Sequence, residues 1–199
     1  MIALIAVALA VAIGNFAVAA AFGLTGASRR AQLEVALASV ALAEKRYADG
    51  VSLARQATVV FEKSNSISNE AWAQALLARN LLGAGNLVEA QSAAEKAIAL
   101  SRQSTVANSQ FEAVLADARV KAKLGKRAEA REELESMIAS ARRFGYRPFE
   151  YQGRLALGEI ELWSGSALAV AGLNALERDA RTQGLLLVAD QAHALSQVR

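Results

Sequence analysis

Residues Gly85–Ile98 read GNLVEAQSAAEKAI, and this stretch decides the fold. The glycine follows an apolar segment, and the residues after it recur as small and apolar at helical spacing. Glycine interrupts a helix wherever the chain must turn sharply. The stretch therefore predicts a helix that ends before Gly85, a short turn, and a second amphipathic helix.

The same pattern recurs every 40 residues along the chain. Turn positions fall at Lys45, Gly85, Gly125 and Gly165. Small residues stand at fixed distances before and after them: Ala38, Ala78, Ala118 and Gly158 on one side, and Gly50, Ala90, Ala130 and Val170 on the other. Two helices joined by a short turn approach closely only where side chains are small. We therefore predict four helix hairpins with a period of 40 residues.

Larger apolar residues fill the same helix faces, and stacked hairpins would bury them in a continuous core. They are Leu37, Leu42, Val60, Phe61, Leu77, Leu81, Leu82, Leu87, Ile98, Leu115, Leu124, Leu134, Met137, Ile138, Leu155, Leu157, Leu162, Leu173 and Leu176. Polar breaks at 63–66, 102–105 and 144–148 predict where the hairpins are separated. The last segment, LLLVADQAHALSQVR, reads as one more helix that caps the stack.

Composition favours an all-α protein and argues against several kinds of site. Hydrophobic residues make up 54% of the 199 and are mostly Ala and Leu, while the single proline is Pro148. The absence of cysteine excludes disulfides and thiolate sites, and one histidine, His193, rules out histidine-pair metal sites. A net charge of +3 is too small a bias to predict nucleic-acid binding. For His193 we expect a surface or capping role, and we expect no cofactor.

The N-terminal segment 1–28 carries no charged side chain. Its apolar run, residues 2–27, is long enough to cross a bilayer, so we predict a single-pass transmembrane anchor. A cleaved signal peptide and a buried soluble helix remain alternatives. Arg29 and Arg30 follow the segment and favour a cytoplasmic location for the rest of the chain, residues 31–199.

The stretches GNLVEAQSAAEKAI at Gly85–Ile98 and LGKRAEA at Leu124–Ala130 resemble the second half of tetratricopeptide repeats. The resemblance covers about residues 31–190, although the period exceeds the usual ~34 residues. HEAT repeats, at ~40–47 residues, are the second family considered. The resemblance implies a right-handed α-solenoid of about four hairpins with a C-terminal capping helix.

The C-terminal stretch RLALGEIELWSGSALAVAGLNALERDARTQGLLLVADQAHAL also resembles the end of tetratricopeptide regions in membrane-linked bacterial regulators and kinases. This second resemblance implies a bacterial inner-membrane protein and places the repeats outside the cytoplasm. It conflicts with the interpretation of Arg29 and Arg30, so the side of the membrane stays open.

In a stacked array the first helix of each hairpin lines the concave face, where a peptide or partner helix binds. By repeat register, the candidate contact residues there are Trp72, Arg79, Glu112, Arg119, Lys123, Gln152, Glu159 and Trp163. The competing interpretation is that the tryptophans are packing residues and the charges form a solvated face.

These observations predict a membrane-anchored scaffold for protein–protein interaction, without catalysis. The alternative is a sensory or regulatory module of a transmembrane bacterial signalling protein or transcription regulator. An upstream reading frame encoding a kinase or winged-helix domain would favour that alternative. The sequence does not identify the partner or the oligomeric state.

Overall fold

A computed structural model describes residues 26–166 and 168–197, and within these ranges the fold is all-α. The predicted anchor at residues 2–27 lies outside the described residues, except for Gly26 and Ala27. Those two residues belong to the first turn of the first described helix. No described helix combines the length and the apolar character needed to cross a membrane.

The chain divides into two compact units after Val120. Helices of the first unit are α1 (Gly26–Ala43), α2 (Tyr47–Lys63), α3 (Ile67–Gly83), α4 (Leu87–Ser101) and α5 (Ala107–Lys123), whose last three residues fall in the second unit. Helices of the second unit are α6 (Arg127–Arg143), α7 (Arg147–Trp163), α8 (Ala169–Thr182) and α9 (Leu186–Ser196). The helices therefore stop at the predicted breaks, but the break at 144–148 is shorter than predicted, because α7 already begins at Arg147 and accommodates Pro148 in its first turn.

Left-handed turns occur at the four positions predicted from the 40-residue spacing. Gly85 and Gly125 have φ of 82° and 87°, and Gly165 and Lys45 have φ of 69° and 59°. At Gly85 the next amide, that of Asn86, donates to the carbonyl of Leu81 at 2.9 Å. This bond across the helix end is the Schellman arrangement, which satisfies carbonyls that the helix leaves unpaired.

The turns between hairpins use the same local chemistry with one exception. Asn65, Gly145 and Gly184 are also left-handed, with φ of 51°, 76° and 73°. The link from α4 to α5 instead closes through a chain of serine hydroxyls. Ser104 Oγ lies 2.7 Å from Ser68 Oγ and 2.8 Å from Ser109 Oγ, and it accepts from the Val106 amide at 3.0 Å. Side-chain hydroxyls thus take over the function of the turn residue.

Alanines dominate the core of the first unit, as close helix crossings require. Ala38, Ala78 and Ala118 are fully buried there, and larger side chains such as Phe61, Leu76 and Leu115 fill the spaces between the helices. In the second unit Gly158 has the same function, because a Cβ on it would lie 2.6 Å from Leu173. These small-residue positions confirm the predicted contact points.

Three residues depart from the predicted pattern. Leu37 and Leu124 were expected in the core but are 44% and 37% exposed. Val170 also lies at the surface, although its counterparts Gly50, Ala90 and Ala130 are buried. Leu124 occupies the turn that precedes Gly125, where the chain leaves the helix face. Leu37 lies on α1, the first described helix, and no described helix precedes α1 to cover its outer side.

Within each unit the helices alternate between two faces. In the first unit α1 contacts both α2 and α3, and α3 also contacts α2 and α4. In the second unit α7 contacts α6, α8 and α9. Helices α1 and α3 of the first unit therefore lie side by side, as do α7 and α9 of the second, so residues in equivalent register on each of these two pairs share one face.

Candidate binding surfaces

Four of the eight predicted contact residues lie in the first unit, on the odd-numbered helices α3 and α5. Trp72 and Arg79 belong to α3, and Glu112 and Arg119 belong to α5. All four are partly buried. We call this group the odd-helix surface of the first unit.

Two of these residues form an ion pair that links neighbouring hairpins. Arg79 Nη1 donates to Glu112 Oε2 at 3.1 Å, and the two side chains are only 21% and 14% exposed. A partly buried pair of this kind is screened less by salt than a surface pair. Arg79, a predicted contact residue, is therefore already engaged with a carboxylate of the chain itself.

Trp72 and Arg119 are also held by neighbouring groups. Trp72 packs against the core cluster of the first unit. Arg119 donates from Nη1 to the carbonyl of Leu115, one turn earlier, at 3.1 Å. Trp72 is partly exposed and lies about two helical turns before Arg79 on α3, so the surface combines an aromatic residue with charges of both signs.

The other four predicted residues lie in the second unit. Gln152, Glu159 and Trp163 are partly exposed residues of α7, and Lys123 is the last residue of α5. Lys123 Nζ lies 3.5 Å from the centre of the Trp163 ring. This distance is well within the range of a cation–π interaction, so the Lys123 ammonium group and the Trp163 ring already bind each other.

Charged residues that the sequence did not single out link the even-numbered helices of the first unit. Arg55 on α2 pairs with Glu89 on α4 at 2.6 Å. Lys96 on α4 contacts Glu62 on α2 at 3.2 Å and the buried Glu70 of α3 at 2.9 Å. The hydrogen bond to Glu70 raises the pKa of Lys96, and the bond to Glu62 adds to the effect. Lys96 therefore stays protonated and neutralises a carboxylate that would otherwise be buried without a counter-charge.

The sequence contains a signal for these ion pairs that is separate from the turn and small-residue pattern. Arg79 and Glu112 are 33 residues apart, and Arg55 and Glu89 are 34 apart. Each separation is one 40-residue repeat minus about two helical turns. In both pairs, side chains at this separation come within reach of each other across neighbouring hairpins. Opposite charges at this spacing predict links between repeats.

His193 is exposed on α9, and its Nδ1 lies 3.0 Å from Glu177 Oε2 on α8. The hydrogen bond from His193 lowers the pKa of the Glu177 carboxyl. The contact ties the last helix to its neighbour, in keeping with the capping role expected for this histidine. Among the described residues, no cluster of three or more acidic or histidine side chains has the geometry to hold a metal ion.

An open groove of about 640 Å³ runs between α1 and α2. Its sides include Arg30 and Glu34, which pair with each other at 3.0 Å, and Gln56 and Val59 opposite them. None of the eight predicted contact residues lines it. Since the groove is open along its length and flanked by a satisfied ion pair, it offers no enclosed site for a small molecule.

Neither the protein-family models nor the curated proteins give a match to this chain.

Proposed function

We propose that this chain is a tetratricopeptide-like repeat protein that binds another protein at a membrane and carries out no catalysis. One observation carries the proposal: left-handed turns recur at 40-residue spacing between helices of nearly equal length. Repeated hairpins of this kind build extended surfaces on which peptides or partner helices bind. The polar side chains described above link helices to one another, and this arrangement favours a scaffold over an enzyme.

The odd-helix surface of the first unit is the proposed binding face. Helices α1 and α3 contact each other closely. Within the described residues, α2 and α4 do not approach each other as closely. Helices that approach more closely on one face place that face on the inner side of a curve. We therefore infer that Trp72 and Arg79 of α3 lie on the inner side of the first unit, together with Glu112, which pairs with Arg79.

The chemistry of this face indicates the kind of partner. Trp72 supplies an aromatic side chain about two helical turns from Arg79 on the same helix, and tryptophan and arginine are among the commonest energetic centres of protein interfaces. A partner peptide with an apolar side chain and a carboxylate would cover Trp72 and share the Arg79 guanidinium.

A matched pair of arginine variants tests the face. Arg79→Ala and Arg55→Ala each remove an arginine from an ion pair between hairpins, but they lie on odd-numbered and even-numbered helices respectively. Full-length tagged protein in mild detergent is used to capture partners from membrane extracts, and the captured proteins are quantified by mass spectrometry. We expect Arg79→Ala and Trp72→Ala to lose partners that the wild type and Arg55→Ala retain. Equal capture by all four proteins would exclude this face, and no capture above background would refute the proposed function.

The membrane part of the proposal concerns residues 2–27, whose apolar sequence supports an anchor. Carbonate extraction of membranes followed by protease treatment of a C-terminal tag in spheroplasts tests it. Retention in the membrane pellet with a cleaved tag indicates an anchored domain outside the cytoplasm, and retention with a protected tag indicates one inside. Release into the supernatant would remove the anchor from the proposal.

A further inference from the structure

The turn between α6 and α7 presents arginines and aromatic rings at the surface of the second unit. Residues 141–149 read ARRFGYRPF and contain no acidic residue. Phe144 is 64% exposed and Tyr146 is 38% exposed. Between them Gly145 has a φ of 76°, which turns the chain so that both rings lie at the end of the hairpin. Exposed apolar residues that are grouped together, unlike single scattered ones, mark interaction sites.

The neighbouring turn between α8 and α9 extends this surface. Arg147 Nη1 donates to Gln183 Oε1, which brings the two turns together. Leu186, just after the second turn, is 54% exposed. We call Arg143, Phe144, Tyr146, Arg147 and Leu186 the basic-aromatic tip.

The positive charges at the tip are not balanced by the carboxylates around it. Arg142 is held by Glu150 at 2.8 Å, and Arg181 is held by Asp190 at 3.0 Å. Arg143, in contrast, lies over the Phe144 ring at 5.3 Å, and Arg147 donates to the neutral amide of Gln183. Within the described part of the chain, neither arginine pairs with a carboxylate. Two guanidinium groups are therefore available to an anionic ligand.

We propose that the basic-aromatic tip contacts an anionic phospholipid surface. Guanidinium groups bind phosphate oxygens in a bidentate manner, and aromatic rings with an adjacent leucine favour the headgroup region of a bilayer. A stable protein interface buries about 800 Å² on each partner, which a five-residue tip of two turns does not provide. A lipid surface needs no such area, because several weak contacts to separate lipids add up.

The inference deepens the proposed membrane function, but it concerns a different part of the chain from residues 2–27. A vesicle flotation assay with full-length protein separates binding through the tip from binding through residues 2–27. The protein is mixed with vesicles of POPC alone and with vesicles of POPC and POPG at 7:3, at lipid concentrations where less than half of the protein binds to POPC. Binding through an apolar anchor proceeds on both vesicles, whereas the arginines of the tip strengthen binding only on the anionic ones.

Two double variants with equal charge loss make the comparison specific. Arg143→Gln/Arg147→Gln removes the charges of the tip, and Lys126→Gln/Arg127→Gln removes two charges at the opposite end of α6. Each Lys or Arg close to an anionic leaflet strengthens binding about fivefold, so we expect the tip variant to lower the POPG-to-POPC binding ratio roughly 25-fold. The control variant should leave the ratio unchanged, and both should keep the wild-type helical circular dichroism. Phe144→Ala should lower POPG binding without changing its dependence on salt.

Each outcome has a distinct meaning. A POPG preference that only the tip variant loses supports the inference, and POPC binding in the same experiment reports on the anchor. POPG preference that survives in the tip variant refutes the tip while leaving the anchor standing. Binding of soluble poly-glutamate through the same arginines, without any POPG preference, would also refute it and would indicate an acidic protein as the ligand.

Discussion

Gly50 and Asn80 form a close contact whose consequences can be measured. Gly50 is a buried residue of α2, and a Cβ added to it would lie 1.9 Å from Asn80 Oδ1 and 2.4 Å from Asn80 Cγ. Asn80 on α3 is fully buried, and its Nδ2 donates to the carbonyl of Leu76 at 2.9 Å. Its Oδ1 is buried without a hydrogen-bond partner among the described residues. The amide therefore has little freedom to move away from a new methyl group.

The substitution Gly50→Ala sets two effects against each other. Alanine in a helix is favoured over glycine by about 1 kcal/mol. Carbon atoms pack at about 3.5–4.0 Å, so the new Cβ is more than 1 Å too close to Asn80 Cγ, and overpacking of this kind typically costs about 1–3 kcal/mol. We expect Gly50→Ala to lower stability by up to about 2 kcal/mol, which corresponds to a fall in Tm of roughly 4–8 °C for a chain of this size.

Removing the asparagine should reverse the sign of this effect. The equivalent position pairs in the next repeats are Ala90 with Val120 and Ala130 with Ile160, so alanine opposite a β-branched residue is already accommodated in this fold. In the Asn80→Val background Gly50→Ala should raise stability, because the clash and the buried unpaired carbonyl oxygen are both gone. Thermal unfolding of all four proteins, monitored by circular dichroism in the same detergent, gives the coupling free energy between the two substitutions. An equal loss of stability in both backgrounds would refute the contact as the cause.

Three further substitutions test other parts of the fold. Ser104→Ala removes the hydroxyl that closes the α4–α5 link and should cost about 1–2 kcal/mol, seen as faster hydrogen exchange at Val106, whereas exposed Ser136→Ala should have no effect. Gly125→Val should cost about 1–2 kcal/mol because a β-branched residue is strained at a φ of 87°, while Gly125→Asn should be tolerated; equal melting temperatures would show that the turn conformation does not matter. The pKa of Lys96 is raised in the folded state above the ordinary lysine value of 10.5. The ion pairs of Lys96 therefore contribute stability that is fully present below pH 10.5 and is lost as the pH rises through the higher pKa of the folded state. The difference in Tm between the wild type and Lys96→Met should therefore shrink from pH 9 to pH 12, and a constant difference would argue against the ion pair.

The hairpin pattern could be predicted from the sequence because its determinants are local. A glycine that follows an apolar segment ends a helix through the backbone bonds of a few adjacent residues, as at Gly85 and Gly125. Small residues at fixed distances from the turn then mark the helix crossings, as Ala38 and Gly158 show. Each of these signals lies within one hairpin and needs no knowledge of its neighbours.

The link between α4 and α5 depends on a contact that signals within one hairpin do not predict. The segment 102–105 was predicted as a polar break, but its closure depends on Ser68, which lies 36 residues before Ser104. The exposure of Leu37 similarly depends on what lies next to α1 and not on its own helical register. Such features follow from contacts between hairpins, which periodicity within one hairpin does not specify.

The candidate contact residues depend on these inter-hairpin contacts most of all. Repeat register correctly placed Arg79 and Glu112 on odd-numbered helices, but register alone does not distinguish a free arginine from one that a neighbouring glutamate already holds. The same holds for Lys123 and Trp163 in the second unit, where the cation occupies the ring face that a ligand would need. A partner that binds through these groups must compete with interactions inside the protein, so its affinity depends on the contacts it replaces as well as on those it forms. At the basic-aromatic tip the arginines have no such internal competitor among the described carboxylates, and for this reason the tip is the stronger candidate for electrostatic binding.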